Sequence, residues 1–158
     1  MGAPHTSAYA QDYRYRDGGI MVYQDTLQLA DHGEGAYEIT DLIADFIKES
    51  KIRIGTCQLF IHSSSASLLI GDTADESTKN ETAAFMAQLA PSSDNIDNKI
   101  NASMDAIPEA MRYAVAQTSL SIPVSNGRPG IGVWQGIFLW EQSKHAAERK
   151  LTITVTGE

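Results

Sequence analysis

From Met21 onward polar and apolar positions alternate: Tyr23, Asp25, Leu27 and Leu29 fall on one side of an extended chain and Val22, Gln24, Thr26 and Gln28 on the other, which predicts a strand. Asp31-His32-Gly33-Glu34-Gly35 then predicts a turn into a short strand at 36–39, so a hairpin is expected. After Thr40 the period becomes helical. Leu42, Ile43, Phe46 and Ile47 share one face, Thr40 is placed to cap the helix, and Asp41 and Lys48/Lys51 suit the positive and negative ends of its dipole. Residues 52–61 read as a core strand, followed by the hydroxyl-rich His62-Ser63-Ser64-Ser65 and a short strand at 66–70. Phe85, Met86 and Leu89 predict a second helix over 75–89, stopped by Pro91, and Pro108 suits the first turn of a third helix running to 116. The polar stretch 92–106 between them reads as a long loop.

Further on, 120–124 is a strand that Pro123 assigns to an edge or bulge, and Ser125-Asn126-Gly127 signals a two-residue hairpin with a return strand at 131–140. A last strand at 151–155 has Leu151, Ile153 and Val155 on one face. About seven strands and three helices, joined by hairpins rather than by regular β-α alternation, predict an α+β fold with a largely antiparallel sheet covered by helices. Residues 1–19 have no sustained period and end in Asp17-Gly18-Gly19, so they read as an N-terminal extension ahead of a single domain at 20–158.

Composition narrows the class. A chain of 158 residues is one domain at ordinary domain size, and 42% hydrophobic with 20% charged residues excludes a disordered, collagen-like or coiled-coil chain. The net charge of −8 disfavours nucleic acid and anionic membrane surfaces as partners. The single Cys57 lies in the apolar run Gly55-Thr56-Cys57-Gln58-Leu59-Phe60-Ile61, so no intrachain disulfide is possible and a buried, inert thiol is expected. No apolar run reaches membrane-helix length and no basic-then-hydrophobic leader is present, so a cytoplasmic location is expected. Eight acids against Lys79 and Lys99 between Gly71 and Met111 concentrate the acidity there. That stretch reads as a solvated face, and Asp72-x-x-Asp75-Glu76 does not match a calcium loop.

Three segments carry a resemblance. Leu59-Phe60-Ile61-His62-Ser63-Ser64-Ser65-Ala66-Ser67-Leu68, Ile122-Pro123-Val124-Ser125-Asn126-Gly127-Arg128 and Gly132-Val133-Trp134-Gln135-Gly136-Ile137-Phe138-Leu139-Trp140-Glu141 together resemble the YjbQ-like proteins, often described as secondary thiamine-phosphate synthases. The resemblance spans about residues 22–158 and implies sandwich-like sheets, a homotrimer and ligand pockets near subunit boundaries. It also implies a metal site built on histidines, and here the chain departs from the pattern. Aligned through Ser65-Ala66-Ser67-Leu68, the first family histidine falls on Ser63; of the other two positions, Ala110 stands at one and Lys99 or a neighbouring asparagine at the other. Adjacent strand residues point to opposite faces, so His62 replaces the missing ligand only if the backbone bulges. No metal and no other cofactor is therefore expected.

What survives is a set of polar candidates. His62, Ser63, Glu141 and Arg149 are the candidate catalytic residues, and Ser64, Ser65, Ser67, Trp134, Gln135 and His145 the candidate ligand-binding residues. Glu141 with Arg149 reads either as a plain salt bridge between strand ends or as a clamp for a phosphate or carboxylate on a small molecule. His62 reads as a general base near neutral pH or as a satisfied structural histidine, and His145 as a solvated loop residue. The serine run lacks a Gly-x-Ser-x-Gly elbow and a paired base, which argues against covalent catalysis. Trp134 and Trp140 are expected to pack the core, with Trp134 also suited to line a pocket. Three functions follow as expectations: a metal-independent small-molecule enzyme, family-type thiamine-phosphate synthase activity, or a non-catalytic binder or scaffold.

Overall fold

The computed structural model describes residues 13–30, 33, 35–73, 117–141 and 148–158, with the side chains of 13–17 excepted. In chain order these form β1 (Tyr13–Asp17), β2 (Ile20–Leu29), β3 (Gly35–Glu38), α1 (Thr40–Ser50), β4 (Ile54–Ile61), β5 (Ala66–Asp72), β6 (Ser119–Ser125), β7 (Arg128–Pro129), β8 (Gln135–Glu141) and β9 (Arg149–Gly157). The strands make a six-stranded sheet in the order β1-β2-β9-β4-β6-β7 and a three-stranded sheet in the order β3-β8-β5. Every pairing between them is antiparallel.

The period of two decides where the core lies. Odd positions of β4 and β9 (Cys57, Leu59, Ile61; Leu151, Ile153, Val155) and even positions of β6 (Ile122, Val124) turn inward and meet Leu68 of β5 and Ile137 and Leu139 of β8. The apolar face of α1 adds Ile43, Phe46 and Ile47 to the same core, and the Phe46 ring stacks on Tyr23 with centroids 4.8 Å apart. Burying each such side chain stabilises the fold by roughly 1.5–3 kcal/mol. The α+β, sandwich-like architecture is as expected. Of the three expected helices, α1 is observed, and those at 75–89 and 108–116 lie outside the described residues.

Several local expectations are corrected. β3 does not form a hairpin with β2; it crosses to the smaller sheet and pairs with β8. The return strand expected at 131–140 is split. Asn126 and Gly127 make the tight turn with positive φ (53° and 73°), but β7 ends at Pro129, which has no N–H to continue the ladder, and the chain moves to the other sheet before β8 begins at Gln135. Within the stretch read as an extension, Tyr13–Asp17 pair with β2, because Gly18 and Gly19, both at positive φ, turn the chain back on itself. Trp140 is buried, but Trp134 is 63% exposed on the connection into β8 and does not pack the core.

Thr40 has a different task from the expected cap. No side chain caps α1; the Thr40 hydroxyl instead accepts the N–H of Ile137 at 2.9 Å and donates to Glu38 Oε1 at 3.1 Å, tying the helix start to β8. Thr40→Ala strands that N–H and is expected to cost about 1–3 kcal/mol in urea unfolding, whereas Thr40→Ser keeps the hydroxyl and retains most of the stability. An equal loss in both variants would contradict this role.

Cys57 is fully buried, and burial pushes its thiol up to about 12. The folded protein thus holds the proton where the unfolded chain releases it. The neutral thiol's contribution to stability is complete below about pH 9 and is lost as pH rises from about 9 toward 12. Native protein at pH 8 is expected to leave Cys57 unlabelled by a disulfide reagent on a timescale of minutes and to expose one thiol on denaturation.

Candidate functional site

One end of the sandwich collects polar groups because three strands begin or end there in the same register. β8 ends at Glu141, whose strand neighbours are Ala66 at the start of β5 and Gly35 at the start of β3, and β9 begins at Arg149. Both charged residues occupy inward-facing positions of their strands, continuing Ile137–Leu139 and Leu151–Ile153 respectively. They therefore meet between the sheets. Arg149 Nε donates to Glu141 Oε2 at 2.6 Å and Nη2 donates to Oε1 at 3.0 Å, a bidentate pair whose side chains are only 12% and 7% exposed.

The turn after β4 completes the cluster. Arg149 Nη2 also donates to Ser65 Oγ at 2.8 Å, and Ser65 Oγ lies 3.4 Å from Ser63 Oγ. Ser63 Oγ accepts the backbone N–H groups of Ser65 and Ala66, each at 3.1 Å, which shapes the turn that delivers Ser65.

His62 goes the other way. Alternation along β4 sends Cys57, Leu59 and Ile61 inward and Gln58, Phe60 and His62 outward, so the imidazole stands across the six-stranded sheet from Arg149. Its Nε2 is 2.7 Å from Thr152 Oγ1, which is itself 2.8 Å from Thr26 Oγ1, and its ring meets Phe60 edge-on at 4.9 Å. With Gln24 Nε2 donating to Thr154 Oγ1 at 2.6 Å, this outer face is a ladder of hydroxyls and amides. Nothing near His62 in the sequence announced Thr152, 90 positions away, as its partner.

Among the other candidates, Ser64 is exposed and Ser67 is buried beside Trp140 in the sheet register. Gln135 Oε1 accepts the Gly132 N–H at 2.7 Å, a contact local to its own turn. Gln135 and Trp134 sit at the far end of β8 from Glu141, about 20 Å away by strand rise, and so do not join the cluster. His145 lies outside the described residues.

Among the described residues the donors at this end do not make a histidine-built metal site. Ser63, standing where the resemblance implies one imidazole, is a neutral hydroxyl already accepting two backbone N–H groups. Among the described residues no group of three or more His, Cys, Asp and Glu side chains could hold a metal. Positions 99 and 110 lie outside them. No helix among the described residues is long and apolar enough to cross a membrane.

Comparison with known proteins adds a lineage to this geometry. Residues 25–158 match the family model described as "UPF0047 protein YjbQ-like". UPF0047 protein sll1880 of Synechocystis is 34% identical over 136 residues, which is 86% of this chain and 92% of that protein. UPF0047 protein YjbQ of Escherichia coli O157:H7 is 30% identical over 139 residues, 87% of this chain and all of that one. In fold, the chain is similar to a YbjQ-like protein of unknown function from Sulfolobus solfataricus P2, with a TM-score of 0.72 at 23% identity over 88% of this chain and 99% of that one. A hypothetical protein of Aeropyrum pernix K1 superimposes with a TM-score of 0.69 at 17% identity, covering 85% of this chain and 98% of that one.

Proposed function

The chain belongs to the UPF0047 YjbQ-like family, and from that premise we propose that it acts on a small molecule whose phosphate or carboxylate binds at the Arg149 end of the sandwich. The observation that carries this reading is the part-buried Glu141–Arg149–Ser65 cluster. Glu141 fixes the guanidinium plane through Nε and Nη2, and Nη2 also bonds Ser65, so the oxyanion is met by Nη1 together with the serine hydroxyls. Glu141 also cancels the arginine's charge, so recognition rests on hydrogen-bond geometry and varies little with salt.

The chemistry proposed here is metal-independent and draws on hydroxyls, a carboxylate and a guanidinium. Proton transfer at the cluster falls to Glu141 and the hydroxyls of Ser63 and Ser65, because His62 faces away. That placement also favours a second reading, binding without turnover, since no imidazole among the described residues reaches the cluster. Family-type thiamine-phosphate synthase activity is the third reading, and it rests on the resemblance alone. The assembly proposed is a homotrimer, for which the outer face of the six-stranded sheet, rich in hydroxyls and carrying the exposed Phe60 and Ile54, is a suitable surface. Light scattering at micromolar concentration is expected to give three times the chain mass; a monomer would contradict the trimer.

The test of the site is calorimetry with inorganic phosphate and thiamine phosphate on the full chain and on Arg149→Lys, which keeps the charge but loses the fork. Affinity for at least one probe is expected to fall about tenfold in a variant that still unfolds cooperatively. Unchanged affinity for both would refute the site. Thiamine-phosphate formation that depends on added zinc would favour the third reading.

A further inference from the structure

The chain has twelve Lys and Arg residues against twenty acids, yet its positive charge is locally concentrated. Lys48, Lys51, Arg53 and Arg128 line one groove of about 750 Å³ between the C-terminal half of α1 and the β6–β7 hairpin, and Asp45 is the one carboxylate among its lining residues. Among the lining residues four cations thus stand against one acid, in a protein of net charge −8.

The backbone explains the convergence. α1 ends at Ser50 and is capped by Lys51, which adopts the left-handed conformation (φ 65°) and donates its backbone N–H to the Lys48 carbonyl at 3.3 Å. The chain then runs to Arg53, whose carbonyl accepts the N–H of Gly127 at 3.0 Å. That bond pins the hairpin loop against the helix exit and delivers Arg128 to the same groove. Lys48 and Lys51 would be favourable at this helix end for dipole reasons alone. Arg53 and Arg128 lie outside the helix, and no such reason covers them. The helix terminus contributes only about half a negative charge, too little to offset the four cations. All four side chains are exposed, and no carboxylate among the described residues pairs with any of them. The apolar lining residues are Ala44, Pro129 and Ile131, together with Ile47 and Ile52, whose side chains are fully buried.

We propose that this groove is a second binding site, separate from the Arg149 cluster, for a soluble organic phosphate. Its apolar or planar body lies along Pro129, Ile131 and Ala44, and its phosphate oxygens meet Lys48, Lys51, Arg53 and Arg128. The volume falls in the roughly 300–1,000 Å³ range of small-molecule sites. Several converging cations select two or more negative charges over one, with Arg supplying paired donors and Lys point charges. The overall acidity turns away nucleic acid and anionic lipid surfaces, which leaves a small solute as the occupant.

Calorimetry on the full chain with ADP, pyrophosphate and adenosine as probes tests this. ADP is expected to bind one per chain, at least tenfold more tightly than adenosine and more tightly than pyrophosphate, and to weaken as salt is raised. The double variant Lys48→Ala/Arg128→Ala is expected to lose at least tenfold in ADP affinity with its unfolding midpoint retained, because both side chains are exposed. Lys150→Ala, on the outer face of the six-stranded sheet, is expected to leave ADP binding unchanged. Absence of saturable ADP binding, an equal loss in Lys150→Ala, or ADP no tighter than pyrophosphate would overturn the proposal. Loss in Arg149→Lys with none in the groove variant would assign the phosphate to the other site.

Discussion

Arg149→Ala is expected to lose about 3–5 kcal/mol of folding stability, read as a fall in the urea midpoint at unchanged slope. The size of the effect comes from the partner left behind. Glu141 is 7% exposed between the sheets, and the truncation removes both guanidinium bonds to a carboxylate held largely out of water. The pair itself carries a desolvation cost close to its Coulombic gain, so removing both charges together is far milder. Glu141→Leu/Arg149→Met is expected to lie within about 1–2 kcal/mol of the parent, well short of the single variant. The double variant separates structure from function: it keeps the fold and loses the oxyanion site. A single variant as stable as the parent would show that the pair is not buried in solution, and the proposed site would fall with it.

Gly55→Ala is the second large effect, expected at about 3 kcal/mol or more. Gly55 of β4 and Gly157 of β9 stand opposite each other in the register. A Cβ on Gly55 would overlap the Thr156 carbonyl oxygen and lie 2.8 Å from the Gly157 Cα, and a Cβ on Gly157 would overlap the Ile54 carbonyl oxygen and lie 2.7 Å from the Gly55 Cα. Those atoms belong to paired backbone in the middle of the larger sheet and cannot swing aside as a side chain can. Gly71→Ala is the informative contrast. There the added carbon meets the ring of Phe138 at 3.1 Å, which can give a little, and a loss nearer 1 kcal/mol is expected. Thermal unfolding of the two variants side by side decides it, and equal losses would contradict the close approach of β4 and β9.

The legible parts of the fold were those governed by local period. The alternations that predict β2, β4 and β9 and the helical spacing that predicts α1 each correspond to an observed element, because a side chain's face follows from its position on a regular backbone. Pairing was less legible. Residues 31–35 read as a hairpin turn, although β3 pairs in the smaller sheet, and the hydrophobic run after Ile131 does not show that Pro129 ends one ladder before Gln135 starts another. At the candidate site, alternation alone placed His62 and Ser63 on opposite faces. The Arg149–Ser65 bond joins residues 84 positions apart, and the groove joins Lys48 to Arg128; no local pattern carries either.

The amino-acid sequence by itself determined the family, the strand and helix character of the clearest segments, and the face on which each alternating side chain would stand. These are consequences of short-range sterics and of motifs within a few residues of each other. Tertiary structure alone decided that Glu141, Arg149 and Ser65 meet at one part-buried end, that His62 spends its ring nitrogen on Thr152, and that an acidic chain gathers four cations around one groove. The reason is physical. Which strands become neighbours depends on how loops close and how the two inner faces bury each other, and that is settled by the whole core at once.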